Sequence, residues 1–251
     1  MNTHASSGKV NYSGLPESGI ELRAPSRAKK ADVSSPLDVE VTNRTKHRIV
    51  ALKFTVRALD RDGALVHERD VTFLIRGIGL HSADPDAWSD YPAVAAGASQ
   101  LIQIDDQKRF AAQGSEDLTA VPKDDVFTEA TAISIALQSV MFENGTVVGP
   151  GKSDLARVVT AVVEGRRLAL EAFLAGIDAN RSPADIEEEF EKEIQNQPDR
   201  TDELVLRSES ELRLLLSLYK SRDEGVRVQF VENLRAELSR PWFAVERLQT
   251  S

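Results

Sequence analysis

Three side chains with metal-ligating chemistry lie close together in one polar stretch of the sequence. His81, Asp84 and Asp86 fall within six consecutive residues. An imidazole and two carboxylates are ligands that Zn²⁺ or Mn²⁺ accepts, although a complete site needs three or four of them held rigidly. Pro85 follows Asp84 directly, and an Asp-Pro pair is equally typical of a solvated turn. The stretch therefore predicts either a metal site or an ordinary turn.

Two aromatic residues follow in the same segment. Residues 77–98 are rich in Gly, Asp, Pro and Ala, and they are interpreted as a long loop that carries Trp88 and Tyr91. Loops bear binding residues more often than strands do, and aromatic side chains are enriched in binding hot spots. The two rings could instead fold back over an open edge of a β-sheet. Trp88 and Tyr91 are our candidates for a binding site in this loop.

A phosphate-binding motif is suggested by Gly149-Pro-Gly-Lys-Ser153, which stands between a predicted strand and a predicted helix. A P-loop reads G-x-x-x-x-G-K-[ST], because its glycines let backbone N–H groups surround phosphate oxygens. The first glycine of that pattern should be residue 146, which is Thr146. The alternative interpretation is that Gly149 and Pro150 end the strand and Ser153 caps the helix. We favour this structural interpretation.

No residue pattern indicates catalysis. His47 and His67 lie on predicted strands without an obvious set of nucleophile and acid, and no G-x-S-x-G elbow occurs. The glutamates between Glu187 and Glu193 could act as acid–base pairs in a closed site, but such a run usually forms the solvated face of a helix. The sequence therefore predicts a protein that is not an enzyme, with no catalytic residue and no cofactor.

The composition narrows the classes of partner. The formal net charge is -9 and is spread over both halves of the chain, whereas nucleic-acid binding needs clustered Lys and Arg. The chain has no cysteine, which excludes disulfides and thiolate chemistry. No apolar run reaches the roughly 18 residues of a membrane span. The polar N-terminus lacks a signal peptide, so at face value the protein is cytoplasmic, or extracytoplasmic if the chain is a trimmed mature form.

The hydrophobic period changes from two to 3.6 near Gly151. Before that residue, apolar side chains alternate with polar ones, which is typical of half-buried strands. A bulge is expected near Gln138-Ser139, where the apolar phase shifts, and Asn144-Gly145 predicts a two-residue hairpin turn. The predicted strands are residues 19–23, 37–42, 50–58, 65–75, 99–104, 132–142 and 146–148.

The last hundred residues read as four helices. Ser182, Pro183 and Asp185 form a predicted capping box at the second helix, and Ser208 with Glu211 is expected to start the third. The predicted helices are residues 154–178, about 183–195, 208–219 and 225–239.

Strands therefore come first and helices afterwards, which favours segregated α+β architecture over a doubly wound fold. We predict an N-terminal antiparallel immunoglobulin-like β-sandwich followed by an all-helical part. The expected organisation is a flexible tail at 1–17, a β-sandwich domain at 18–150 and a helical domain at 151–251.

The strand and turn signals between residues 37 and 104 also carry a resemblance. The matching pieces are Val39–Thr45, Ile49–Leu59, Asp60–Gly63 and Ala96–Leu101. They resemble bacterial immunoglobulin-like domains, notably the group named for a Phe-x-Leu-Tyr-Asp motif. The naming motif itself differs, since Ala58-Leu59-Asp60 lacks the tyrosine. The resemblance covers about a third of the chain and implies a sandwich fold in a non-catalytic module of exported bacterial proteins.

Apolar positions on the third and fourth predicted helices exceed what one buried face needs. They could pack within a bundle or offer a second face to a protein partner or to another copy of the chain. We predict an interaction or scaffolding protein. The alternative is a small-molecule or metal-binding protein that uses the loop at residues 77–98.

Overall fold

The computed structural model places two β-sheets before four α-helices, so the fold is α+β as predicted. It describes residues 9–25, 37–74, 94–104, 130–196 and 201–239. The chain divides into two compact units, and the division falls between residues 156 and 157. The strands of the described residues are β1 (Lys9–Ser13), β2 (Ile20–Arg23), β3 (Asp38–Asn43), β4 (Ile49–Leu59), β5 (Leu65–Leu74), β6 (Ser99–Gln103), β7 (Ala132–Phe142) and β8 (Val147–Val148).

The strands form two sheets in the first unit. Sheet A has the order β1-β7-β4-β5, and β8 also pairs with β7. Sheet B has the order β2-β3-β6 and is antiparallel. Sheet A is mixed, because β1 runs parallel to β7 while its other pairs are antiparallel. The prediction of a wholly antiparallel arrangement is therefore wrong for β1.

One apolar core joins the two sheets. Each strand contributes alternate side chains, which follows from the period of two along an extended backbone. The central strand β4 supplies Leu52, Phe54 and Val56, which are fully buried. The remaining buried members of this core are Ile20, Leu37, Val39, Val41, Ile49, Val71, Phe73, Val94, Ile102, Ile104, Ile133, Ile135, Leu137, Val140 and Phe142.

The bulge expected near Gln138-Ser139 is confirmed. Lys53 of β4 lies opposite Ser139, but the next residue, Phe54, lies opposite Leu137. Gln138 is thus the extra residue of β7, and it moves the inward phase from Leu137 to Val140. A single extra residue explains why the apolar pattern of this strand changes phase.

The turn after β7 has three residues rather than the predicted two. Phe142 N donates to Thr146 O, and Gly145 N donates to Phe142 O, each at 2.9 Å. Gly145 has a φ of 85°, whereas Asn144 keeps a negative φ. This combination is a type I turn followed by a left-handed glycine, because a two-residue type I′ turn would need positive φ at both Asn144 and Gly145.

The expected flexible tail contains a strand. Residues 9–13 form β1, and Val10 and Tyr12 pack against the core of the first unit. The alternation involves only two apolar residues, so the segment gives a weak sequence signal. Its order comes from the backbone ladder to β7, a long-range contact that local pattern does not reveal.

Four helices make up most of the second part of the chain. The capping box is confirmed, since Ser182 Oγ accepts from Asp185 N and Asp185 Oδ2 accepts from Ser182 N. The third helix begins earlier than predicted, with Thr201 as its N-cap. Ser208 is instead buried within that helix, where its hydroxyl donates to Leu204 O at 2.7 Å. The helices are α1 (Lys152–Asp178), α2 (Pro183–Gln195), α3 (Asp202–Lys220) and α4 (Glu224–Leu238).

The helical unit has its own apolar core. Phe173 of α1 lies at its centre and makes edge contacts with Tyr219 and Phe230. The fully or nearly buried members of this core are Ala169, Leu170, Phe173, Leu174, Ile186, Phe190, Ile194, Val205, Leu212, Leu215, Leu216, Val231 and Leu234.

Candidate functional site

The loop predicted to bind a metal or a small molecule lies outside the described residues. His81, Asp84, Asp86, Trp88 and Tyr91 all fall between residues 75 and 93, so their roles stay predictions. Within the part of the chain that the structure describes, no group of three or more His, Asp or Glu side chains is arranged to hold a metal ion. None of the described helices is long and apolar enough to span a bilayer.

The segment Gly149–Ser153 packs closely against the β7 bulge. Gly151 N donates to Gln138 O at 3.0 Å, and a Cβ on Gly149 would lie 2.3 Å from the same oxygen. Gly149 also has a φ of 105°. Its two glycines therefore allow the backbone to pass close to Gln138 of β7 where the antiparallel strand β8 ends. Helix α1 already begins at Lys152, so Ser153 lies within the first turn and is not the N-cap.

A charge cluster lies on the outer face of sheet A. Lys53 Nζ contacts Asp70 Oδ2 at 2.8 Å and Asp154 Oδ2 at 2.5 Å, which joins β4, β5 and the first turn of α1. Thr55 Oγ1 donates to Asp70 Oδ1 at 2.6 Å. The Lys53 side chain is only 12% exposed. The sequence places Lys53 on the polar face of its strand, but nothing local reveals partners on other elements.

The electrostatics of this cluster favour the charged forms. Burial opposes the charge of Lys53, but hydrogen bonds to Asp154 and Asp70 outweigh it and raise the pKa of Lys53 above its ordinary value. Burial likewise disfavours the Asp70 carboxylate, but the donors Lys53 and Thr55 lower its pKa on balance. Neither group is therefore adjusted toward neutral pH, where a proton-transfer catalyst would need it.

A second ion network joins three helices. Arg166 of α1 donates through Nε and Nη2 to the two carboxylate oxygens of Glu237, at 2.7 and 3.2 Å. Its Nη1 donates to Glu211 at 2.6 Å. Burial opposes the charge of Arg166, but both glutamates outweigh it and raise its pKa. This planar, three-bonded arrangement fixes α1, α3 and α4 relative to one another.

The helical unit also has a shallow, open groove of about 430 Å³ on its surface. Buried Leu216 contributes apolar surface, while polar and charged residues make up the rest. The groove is formed by α2 and α3, and its lining residues are Glu187, Arg213, Leu216, Ser217, Lys220 and Ser221.

Arg213 is the central charge of this α2–α3 groove. Its Nε donates to Glu187 at 2.9 Å and its Nη2 donates to Glu191 at 3.1 Å. The hydrogen bond to Glu187 is the main cause of its raised pKa. Glu188 pairs with Lys192 instead, at 2.6 Å. The acidic run of α2 thus lies on the exposed face of the helix, as the sequence predicts, and part of it borders the groove.

Three large aliphatic side chains of the helical unit are exposed. Leu206 is 66% exposed, Val226 52% and Val228 58%. Val226 and Val228 are two positions apart on α4, which places them on opposite flanks of that helix. These side chains therefore do not form a single apolar stripe, and exposed aliphatic residues that occur singly are ordinary.

No protein-family model matches the sequence, and no curated protein or solved structure is significantly similar to it.

Proposed function

We propose that this protein is a non-catalytic interaction or scaffolding protein. The observation that carries the proposal is the pairing of the described charges: Lys53 contacts Asp70 and Asp154, and the directions of the pKa shifts agree with such pairing. The shifted carboxylates have lowered pKa values and the shifted lysine has a raised one, so each is held more firmly in its charged form. These groups are Glu21, Lys53, Asp70 and Asp185.

This direction is the reverse of what acid–base chemistry requires. General acids and bases work best with pKa values near the operating pH, so enzymes raise the pKa of carboxylates and lower that of lysines. Permanent charge suits a surface that orients a partner, because complementary charge steers encounter and fixes register. The described charge networks therefore support recognition better than catalysis.

The α2–α3 groove is the surface that we assign to a protein partner. A site that encloses a small molecule usually buries most of the ligand surface between apolar walls. This groove is open, with charged Glu187, Arg213 and Lys220 around buried Leu216. An open groove lined mainly by polar and charged side chains suits the polar part of a protein interface better than an enclosed small molecule.

We also propose that the first unit is an immunoglobulin-like sandwich. Immunoglobulin domains place strands A, B and E in one sheet and strands C, F and G in the other, with C′ added beside C in some types. Taking β2 as strand A, sheet B has the order A-B-E and sheet A has the order G-F-C-C′, with β8 as G. The parallel strand β1 is an addition to this pattern. The strand order supports the resemblance noted for residues 37–104.

A larger side chain placed in the α2–α3 groove tests whether the groove binds a protein partner. Ser217 lies in the groove and is exposed, so Ser217→Arg should occupy the groove without removing an ion pair. Gln229→Arg adds the same side chain at an exposed position of α4 and serves as the control. We expect affinity capture from cells that natively make the protein to retain a partner with the wild type and Gln229→Arg, and to lose it with Ser217→Arg.

Equal retention by all three proteins would remove the groove from the proposal. Turnover of esters or nucleotides by the purified protein, lost on substitution of Lys53 or Asp70, would overturn the non-catalytic assignment itself.

A further inference from the structure

One edge of β7 is shared by two short strands. β1 pairs in parallel with residues Ala132–Ala136, whereas β8 pairs in antiparallel orientation with Val140 and Met141. β8 stops at Val148, because Gly149 turns away with its φ of 105° and packs on Gln138. Among the described strands, β1 alone covers the Ala132–Ala136 edge, which we call the acceptor edge.

β1 holds the acceptor edge with few contacts. Its ladder is five residues long, and parallel pairs are slightly less stable than antiparallel ones. Val10 and Tyr12 are only partly buried against the core, and Asn11 and Ser13 are exposed. The Tyr12 hydroxyl adds one hydrogen bond, to Asp38 O at 3.3 Å. β1 is therefore more weakly attached than β4, which is paired along both edges.

A glycine separates β1 from the turn that follows it. Leu15 and Ile20 exchange two backbone hydrogen bonds, of 2.8 and 3.1 Å, which close the following turn. Gly14 lies between β1 and this pair, where a Cβ would come within 2.7 Å of Ile20 O. The Leu15–Ile20 pair lies after Gly14, so its two hydrogen bonds do not depend on the ladder between β1 and β7.

We propose that the acceptor edge takes β1 from a second copy of the chain, in the same parallel register, so that two copies exchange their first strands. An exchanged β1 forms the same hydrogen bonds and side-chain contacts as β1 within one chain, which makes such exchange a low-cost route to a dimer. The occupant of the surface is thus the segment Lys9–Ser13 of another copy. The exchange does not use the α2–α3 groove, so the two proposals succeed or fail separately.

The absence of cysteine makes a disulfide test direct. Asn11 lies opposite Ser134 across the ladder, and both side chains point away from the buried Ile133 and Ile135. Neighbouring strands are about 4.8 Å apart, which suits a disulfide. Full-length Asn11→Cys and Ser134→Cys proteins are mixed and oxidised. We expect a covalent heterodimer whose linked peptides contain positions 11 and 134.

The control mixture pairs Asn11→Cys with Gln229→Cys, which measures linkage by random collision. The proposal is overturned if the Asn11→Cys and Ser134→Cys mixture gives no more heterodimer than this control. At low concentration the double variant N11C/S134C should close its disulfide within one chain. We expect the wild type to form a dimer in sedimentation velocity at high concentration, and the closed double variant to stay monomeric. A double variant that links in neither arrangement would contradict the register and the proposal with it.

Discussion

The side-chain amide of Asn43 donates a hydrogen bond to the backbone oxygen of Val94, 51 residues further along the chain, at 3.1 Å. The same nitrogen donates to His47 O at 2.8 Å and to Ala95 O at 3.2 Å. The side-chain oxygen accepts from Thr45 N and Thr45 Oγ1. A fully buried amide thus holds the β3–β4 turn against the chain that enters β6.

Asn43→Asp should therefore destabilise the first unit strongly. The substitution keeps the shape of the side chain but turns a carboxylate toward three carbonyl oxygens. We expect a loss of about 3 kcal/mol or more in the free energy of unfolding, because one oxygen of the buried carboxylate would face carbonyl acceptors in place of donors. Asn144→Asp is the matched control, since Asn144 is exposed and only accepts from Thr146 N. Urea denaturation measures both, and a similar small loss in the two variants would contradict this role.

Two helical glycines should respond to alanine with opposite signs. A Cβ on Gly176 would lie 2.4 Å from Ile186 Cγ1, so Gly176→Ala forces α1 and α2 apart and should cost about 1–3 kcal/mol. Gly225 has no heavy atom within 4 Å of its Cβ position, and Gly225→Ala should stabilise α4 by up to about 1 kcal/mol. Thermal unfolding followed by circular dichroism gives both signs. A stabilising Gly176→Ala would show that α1 and α2 are not in close contact at this point.

The sequence predicts elements well where the signal is local. The period of Val50, Leu52 and Phe54 defines β4, and the phase shift at Gln138 defines the bulge. It fails where order depends on distant groups: β1 is held by a ladder to residues more than a hundred positions away. The candidate site shows the same limit. Lys53 reads as an ordinary polar strand residue, because its partner Asp154 lies 101 positions further on.

The start of α3 shows why competing local signals mislead. Thr201 and Ser208 are both good cap residues, and each has an acidic residue within a few positions. The helix uses Thr201, which allows Val205 to reach the core of the helical unit. Ser208 is tolerated inside the helix because its hydroxyl bonds back to Leu204 O. Tertiary packing therefore decides whether Thr201 or Ser208 caps α3, and local sequence patterns do not reveal that packing.

Removing the charge of Lys53 should change the titration of Asp70. Asp70 has a lowered pKa in the folded protein, so it contributes stability above its unfolded pKa, and that stability is lost as the pH falls through the folded value. In Lys53→Met the carboxylates of Asp70 and Asp154 lose their shared cation. We expect the pKa of Asp70 to rise, and unfolding to become easier by about 1–2 kcal/mol near neutral pH, since both carboxylates are well exposed.

The measurement for Lys53→Met is carboxyl NMR titration together with urea denaturation at several pH values. Lys152→Met removes an exposed lysine near the same helix start and is the control. The acid side of the wild-type stability profile should flatten in Lys53→Met but not in Lys152→Met. An unchanged Asp70 titration in Lys53→Met would show that the cluster does not form in solution.

The Arg166 network should restrict α1, α3 and α4 to one packing arrangement, and should contribute less to the free energy of unfolding than apolar side chains in its place. Arg166→Met leaves the carboxylates of Glu211 and Glu237 partly buried and without their cation. We expect this variant to lose about 3 kcal/mol of the free energy of unfolding, because unpaired buried charges are destabilising. The triple variant R166M/E211L/E237M replaces the network with apolar contacts and should recover most of that loss. Arg207→Met removes an exposed arginine of α3 and should change the free energy of unfolding by less than about 0.5 kcal/mol.

Chemical denaturation ranks these variants by their free energy of unfolding. Amide hydrogen exchange across α1, α3 and α4 tests whether the triple variant keeps one packing arrangement. A triple variant no more stable than Arg166→Met would mean that the loss comes from the methionine itself and not from the unpaired carboxylates.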